Sequence, residues 1–292
     1  MVAQSSQAPT AQERRSAHVI HYDISYIEQG AEHGSDGAIV LLHDILGGAF
    51  TWDGVLARLG GAGRAVYAID LLGYGQSDRP WPADTSVWGH ADCLTFLFKQ
   101  LNLTNVVLVG HGIGGGVAQI LATRLCPERI AALVLVNSIC YEYTFAPNWP
   151  LSDMKKYQDP EIANELELKD LIADLEATAP NGAHKTDDLK QDIDKYAQPW
   201  NDHIGEEVFL QQIRLLIPSY SNSVSSDLRH IGKPCLILWG EKDAQIPLKF
   251  AQRLHRDIPE SRLVIIPDAG HLILFDVPAQ VASALLDFVG RL

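Results

Sequence analysis

The chain has 292 residues, 47% of them hydrophobic and 20% charged, a balance that excludes a disordered polymer and fits a globular enzyme. Lys and Arg number 23 against 36 Asp and Glu; the resulting charge of −13 repels polyphosphate and makes nucleic acid a poor partner. No apolar run reaches the roughly 18 residues that a membrane span needs, and the length leaves two options, one core with a large insertion or two small domains.

Residues 1–17 are polar and lack the apolar stretch of a secretory signal, so they read as a leader; a cytoplasmic location is expected by default. From His18 onward Ile20, Tyr22, Ile24 and Tyr26 alternate with polar residues, the pattern of a half-buried hairpin arm. Continuous apolar runs at 38–42, 65–72, 105–109 and 131–136 have the length and β-branched content of strands buried on both faces. Helical stretches at 87–101 and 115–125 lie between them, which predicts a mostly parallel sheet with helices on both sides.

The alternation fails between 140 and 225. There a charged helical stretch (159–178), a polar break (180–185) and a second helical stretch (187–216) follow one another, and the segment gathers Tyr141, Tyr143, Phe145, Trp149, Tyr157, Tyr196 and Trp200. An insertion entered from the C-terminal end of a strand lies where such sheets bind ligands, so 140–225 reads as a helical cap. Strand, helix, strand and helix resume at 235–239, 248–255, 262–266 and 279–292. Residues 18–139 and 226–292 therefore form one split α/β core. Cys93, Cys126, Cys140 and Cys235 share no metal-ligand spacing and read as reduced core thiols. No metal cluster, phosphate loop or cofactor site is expected. Gly110, Gly112 and Gly115 fit a dinucleotide G-x-G-x-x-G, but several strands precede it and the acidic partner on the next strand is absent.

The informative stretch is Gly110-His111-Gly112-Ile113-Gly114, a buried strand running through a glycine turn into a helix. The summit of such a turn is forced toward positive φ and stands above the sheet. This is the context of the G-x-S-x-G nucleophile elbow, with Gly112 in the nucleophile's place.

With four further stretches in order, the chain resembles the α/β-hydrolase fold superfamily, in particular its cap-bearing esterases, carbon–carbon bond hydrolases, epoxide hydrolases and dehalogenases. His43-Asp-Ile-Leu-Gly-Gly is similar to the oxyanion loop, and Asp70-Leu-Leu-Gly-Tyr-Gly-Gln-Ser to the D-x-x-G-x-G-x-S loop. Trp239-Gly-Glu-Lys-Asp243 is similar to the strand end that carries the acid, and Asp268-Ala-Gly-His271 to the histidine loop. The resemblance implies that His271 is the general base, that Asp243 orients it, and that the N–H groups of Ile45 and Ile113 form an oxyanion hole. It implies hydrolysis of an ester-like bond in a small, largely apolar molecule, with no cofactor. Asp44, Tyr141, Tyr143, Trp149 and Trp200 are the candidate substrate contacts.

Gly112 leaves three readings open: a nucleophile removed from a serine or aspartate enzyme, a natural lyase, isomerase or cyclase using His271 and Asp243, or a small-molecule receptor. The first is preferred because base, acid and glycine turn all survive, with serine narrowly ahead of aspartate as the lost residue. Asp44 is a second departure, since the family usually has glycine there. It is expected to point outward and shape its loop, the sharper alternative being a grip on a substrate hydroxyl or amine.

Overall fold

A computed structural model describes residues 12–30, 37–143, 200 and 203–292. Eight strands form one sheet: β1 (Gln12–Val19), β2 (Tyr22–Gln29), β3 (Ala38–Leu42), β4 (Ala65–Ile69), β5 (Val106–His111), β6 (Ile130–Val136), β7 (Cys235–Gly240) and β8 (Arg262–Ile266). Their spatial order is β1-β2-β4-β3-β5-β6-β7-β8; β2 pairs antiparallel with β1 and β4, and all other pairs are parallel. β6 pairs with β7, Leu133 opposite Cys235, so the halves on either side of the 140–225 segment close into a single sheet.

The strands at the centre read as unbroken apolar runs because both faces are covered. Their alternate residues enter two separate cores. Val40 and Leu42 join the layer under α1 (Val87–Gln100), α2 (Ile113–Ile120) and α4 (Lys249–Asp257), while Ile39 and Leu41 join the layer under α5 (Pro278–Val289). In chain order between α2 and α4 comes α3 (His203–Arg214), which with a short helix at Pro218–Asn222 belongs to the segment read as a cap and packs into the first of the two cores. The expected helix at 159–178, the break at 180–185, and Trp149, Tyr157 and Tyr196 lie outside the described residues. All four cysteines are free and buried. No described helix is long and apolar enough to cross a membrane.

Two expectations are corrected. The leader read as 1–17 includes part of β1, whose outer residues are exposed and polar but pair by backbone register with β2, Gln12 opposite Gln29. The strand expected to run to residue 72 stops at Ile69, and the Asp70 side chain that follows it is buried among loop donors. That carboxylate accepts from the N–H of Ala49 (2.6 Å) and of Gln76 (3.1 Å) and pairs with Arg14 (2.5 Å), at 1% exposure. Asp70→Ala strands two backbone donors, one after β3 and one after β4. The expected loss is about 3 kcal/mol in the urea midpoint analysis.

In-register pairing brings the chemistry to one edge. Leu42 stands opposite Gly110, His111 opposite Val136, and Gly240 opposite Ile266, so the loops leaving β3, β5, β6, β7 and β8 emerge side by side.

Candidate active site

β5 ends at His111, and α2 begins at Ile113. Gly112 makes the turn between them at φ +52° and ψ −117°, a conformation that favours glycine. The Gly112 carbonyl accepts from the N–H groups of Gly115 and Ile139, each at 3.1 Å, and its N–H donates to Val136 (3.2 Å). The elbow is thus fully braced around a summit without a side chain.

The neighbouring loop fills that summit. After β3, His43 accepts the Leu71 N–H at Nε2 (3.0 Å), so its proton lies on Nδ1 and is donated to the Asp44 carbonyl (2.7 Å). The same carbonyl accepts from Gly47 N–H (3.0 Å), closing a tight turn in which Leu46 adopts φ +61°. A non-glycine residue held there costs about 1–3 kcal/mol, strain found where a functional group is aimed. The His43 carbonyl in turn accepts from Gly114 N–H (3.1 Å), tying this loop to the elbow.

Held in this way, the Asp44 side chain points into the site, which corrects the expectation that it faces outward. Its Oδ1 accepts the Ile113 N–H at 2.7 Å, and its Oδ2 lies 2.8 Å from His271 Nε2. A Cβ built on Gly112 would fall inside the Asp44 carboxylate, overlapping Oδ1 and Cγ. The two departures from the family pattern are therefore complementary in space: the carboxylate occupies the volume that an elbow side chain would need. The N–H of Ile113, expected to serve an oxyanion, is already bound to Asp44; Ile45 follows Asp44 in the same loop with its side chain buried.

His271 is 4% exposed and held on both ring nitrogens, Nδ1 lying 2.8 Å from Asp243 Oδ2 and Nε2 on Asp44. Asp243 is fixed by the N–H groups of Gln245 and Ile246, both donating to Oδ1 at 2.8 Å. The backbone carrying His271 is clamped as well. Asn137 Nδ2 donates to the carbonyls of Gly270 (2.8 Å) and His271 (3.1 Å), and His111 Nε2 donates to the His271 carbonyl (2.9 Å). Asn137 also accepts from Gly240 N–H (2.9 Å), so one amide joins the acid strand to the histidine loop. Sequence reasoning missed Asn137, whose only signal is a polar residue directly after a fully apolar strand.

The charges follow from this geometry. Burial pulls the His271 pKa down, but the charges and hydrogen bonds of Asp243 and Asp44 overcome it and push the group up to about 10. Burial raises the Asp44 carboxyl, and its hydrogen bond to His271, the charges of His271 and His111 and the Ile113 N–H together hold it well below its ordinary value. At neutral pH the site is thus an imidazolium between two carboxylates. The imidazolium contributes stability that is whole below about 6.5 and lost as pH rises through about 10. The Asp44 contribution is whole above its ordinary 3.8 and lost as pH falls through its depressed value. A proton NMR titration should find His271 doubly protonated at pH 8 and titrating near 10; a neutral ring at pH 8 would remove the ion pair from the account.

The other expected contacts separate into groups. Tyr143 is buried, and the charge of Asp44 adds to burial in raising its hydroxyl pKa, as it does for Tyr74, a residue the sequence left among the loop glycines. Trp200 packs edge-on against Tyr74 (5.6 Å, 88°), which in turn packs on His43 (5.0 Å). Tyr141, also expected as a substrate contact, donates its hydroxyl to Asp257 (3.0 Å) with the Arg253 guanidinium 3.7 Å from its ring centroid. Both partners lie on α4, so these contacts tie the start of the inserted segment to the core. Trp149 is outside the described residues.

Residues 37–278 match the family model of the alpha/beta hydrolase fold. The chain is 30% identical over 270 residues to an uncharacterised protein of Mycobacterium tuberculosis, covering 88% of this chain and 75% of that one. It is 25% identical over 260 residues to the 2-hydroxy-6-oxononadienedioate/2-hydroxy-6-oxononatrienedioate hydrolase of Cupriavidus pinatubonensis, covering 87% and 86%. A haloalkane dehalogenase from Bradyrhizobium elkani superposes with a TM-score of 0.83 over 96% of this chain and 98% of that one, at 17% identity, a likeness of fold. The chain belongs to the α/β-hydrolase fold family, and its relatives include named hydrolases.

Proposed function

We propose that this chain is a hydrolase whose nucleophile is Asp44, supplied by the loop after β3 in place of the side chain missing at Gly112, and that it opens epoxides of small, largely apolar molecules. The observation that carries this reading is the seat of the Asp44 carboxylate, one oxygen on Ile113 N–H and the other on His271, in the elbow's own volume. A nucleophile deleted from an ordinary serine or aspartate site would leave that volume to solvent. The Asp44 side chain keeps 13% exposure, where that of Asp243 has none.

Chemistry narrows the substrate. A carboxylate that attacks an ester carbonyl gives an anhydride, higher in energy than its precursor, whereas attack at a saturated carbon gives a stable ester. Opening an epoxide in this way creates an alkoxide that needs a proton, and the His271 imidazolium holds one at the nucleophile's edge. A departing halide needs no proton and would leave His271 charged, unable to act as base in the next step.

The cycle balances. Asp44 bonds to an epoxide carbon, the carbon–oxygen bond breaks, and His271 Nε2 gives its proton to the new alkoxide. Neutral His271, oriented by Asp243, then takes a proton from water as that water attacks the Asp44 ester carbon. The Ile113 N–H holds the oxyanion, the diol leaves with a proton from His271, and the regenerated carboxyl returns a proton to the ring. Tyr74, Tyr143 and Trp200 provide the apolar surroundings.

A panel of styrene oxide, 1-bromobutane and p-nitrophenyl acetate tests the assignment. Diol should form from the epoxide, with kcat/KM falling as pH rises through about 10, where the imidazolium is lost. Turnover confined to the acetate would reject it.

A further inference from the structure

We propose that Asp44, His111 and His271 also form a binding site for a divalent transition metal of the Zn2+ class, and that the metal shuts the site by taking the nucleophile as a ligand. One donor atom from each residue lies within 4.8 Å of the other two. Four-coordinate zinc with bonds of about 2.0–2.2 Å needs ligand atoms roughly 3.4 Å apart, a distance that small side-chain rotations reach from here.

The second layer of contacts argues for a site rather than a coincidence. A metal-binding histidine usually donates its other ring N–H to a carboxylate or a backbone carbonyl. Both histidines are held in this way: His271 Nδ1 on Asp243 (2.8 Å) and His111 Nε2 on the His271 carbonyl (2.9 Å). The nitrogens left for a metal are Nε2 of His271 and Nδ1 of His111. Two imidazoles and one carboxylate suit Zn2+, Co2+ or Ni2+ and not Mg2+ or Ca2+, which prefer all-oxygen shells. The ligands come from residues 44, 111 and 271, so no spacing in the sequence marks them. On binding, the proton on His271 Nε2 leaves to solvent, and water takes the fourth position.

This goes beyond the epoxide reading and competes with it for Asp44, so the test reads binding and not turnover. The chelator-treated full-length chain is titrated with Co2+ and the visible spectrum recorded. The expected result is one equivalent bound, with the d–d absorption of a four- or five-coordinate nitrogen–oxygen site, no thiolate charge-transfer band, and displacement by Zn2+. His111→Gln, whose amide can still donate to the His271 carbonyl, and Asp44→Asn should each weaken Co2+ binding at least about 100-fold. No visible band with the unaltered chain overturns the proposal, as does a band that both variants retain or one carrying thiolate character. A chain that binds Co2+ but hydrolyses no epoxide upholds the metal site and rejects the aspartyl-ester reading; the reverse result does the opposite.

Discussion

An Asp44→Asn chain should fold and lose epoxide turnover by at least about 1,000-fold, with the loss in kcat. Asparagine preserves the shape of the side chain and can accept the Ile113 N–H through its carbonyl oxygen, so the loop and the elbow keep their packing. It cannot form the ester. With one of its two carboxylates neutralised, His271 should also fall from about 10 toward the ordinary histidine value. A purely structural Asp44 would behave differently: the variant would melt earlier while its folded fraction kept most of its kcat. Thermal unfolding measured beside the kinetics separates the cases, and turnover within tenfold of the parent removes Asp44 as nucleophile.

Gly112→Ser should not produce an esterase. The serine Cβ would have to occupy the Asp44 carboxylate, which must then swing out and give up both the His271 pair and the Ile113 N–H. The new residue would also sit at φ +52°, where a side chain is strained. Together these predict a loss of about 3–5 kcal/mol in unfolding free energy. The double variant Asp44→Gly with Gly112→Ser removes the overlap, returns the Ile113 N–H to an oxyanion and leaves His271 and Asp243 in place. It should recover much of the lost stability and hydrolyse p-nitrophenyl acetate, which neither single variant does. Equal esterase activity in the Gly112→Ser single variant would mean that the carboxylate does not hold the elbow's volume.

Much of the fold is legible in the sequence because buried parallel strands are written as unbroken apolar runs. The run at 38–42 coincides with β3, buried at every residue, and the strand expected at 262–266 coincides with β8, an edge strand of which only Ile266 is fully buried. β1 is not legible in that way: QERRSAHV is mostly polar, and an edge strand can be held by backbone pairing and by the reach of Arg14 to Asp70. The meeting of Asp243 and His271 is also legible, since each follows a strand whose register the sheet enforces. The direction of Asp44 is not. It depends on the positive φ of Leu46 and on a carbonyl shared by His43 and Gly47, neither of which composition or spacing reveals. Gly112 and Asp44 each read as a loss when taken alone; only in space does one fill the other's volume.

The most direct measurement is a single turnover of an epoxide by excess enzyme in water enriched in oxygen-18, followed by mass spectrometry of the diol and of the peptide containing Asp44. If Asp44 forms the ester, the first diol leaves with an oxygen from the protein and the label appears in the Asp44 carboxylate. Label in the diol, with none in that peptide, would contradict the account.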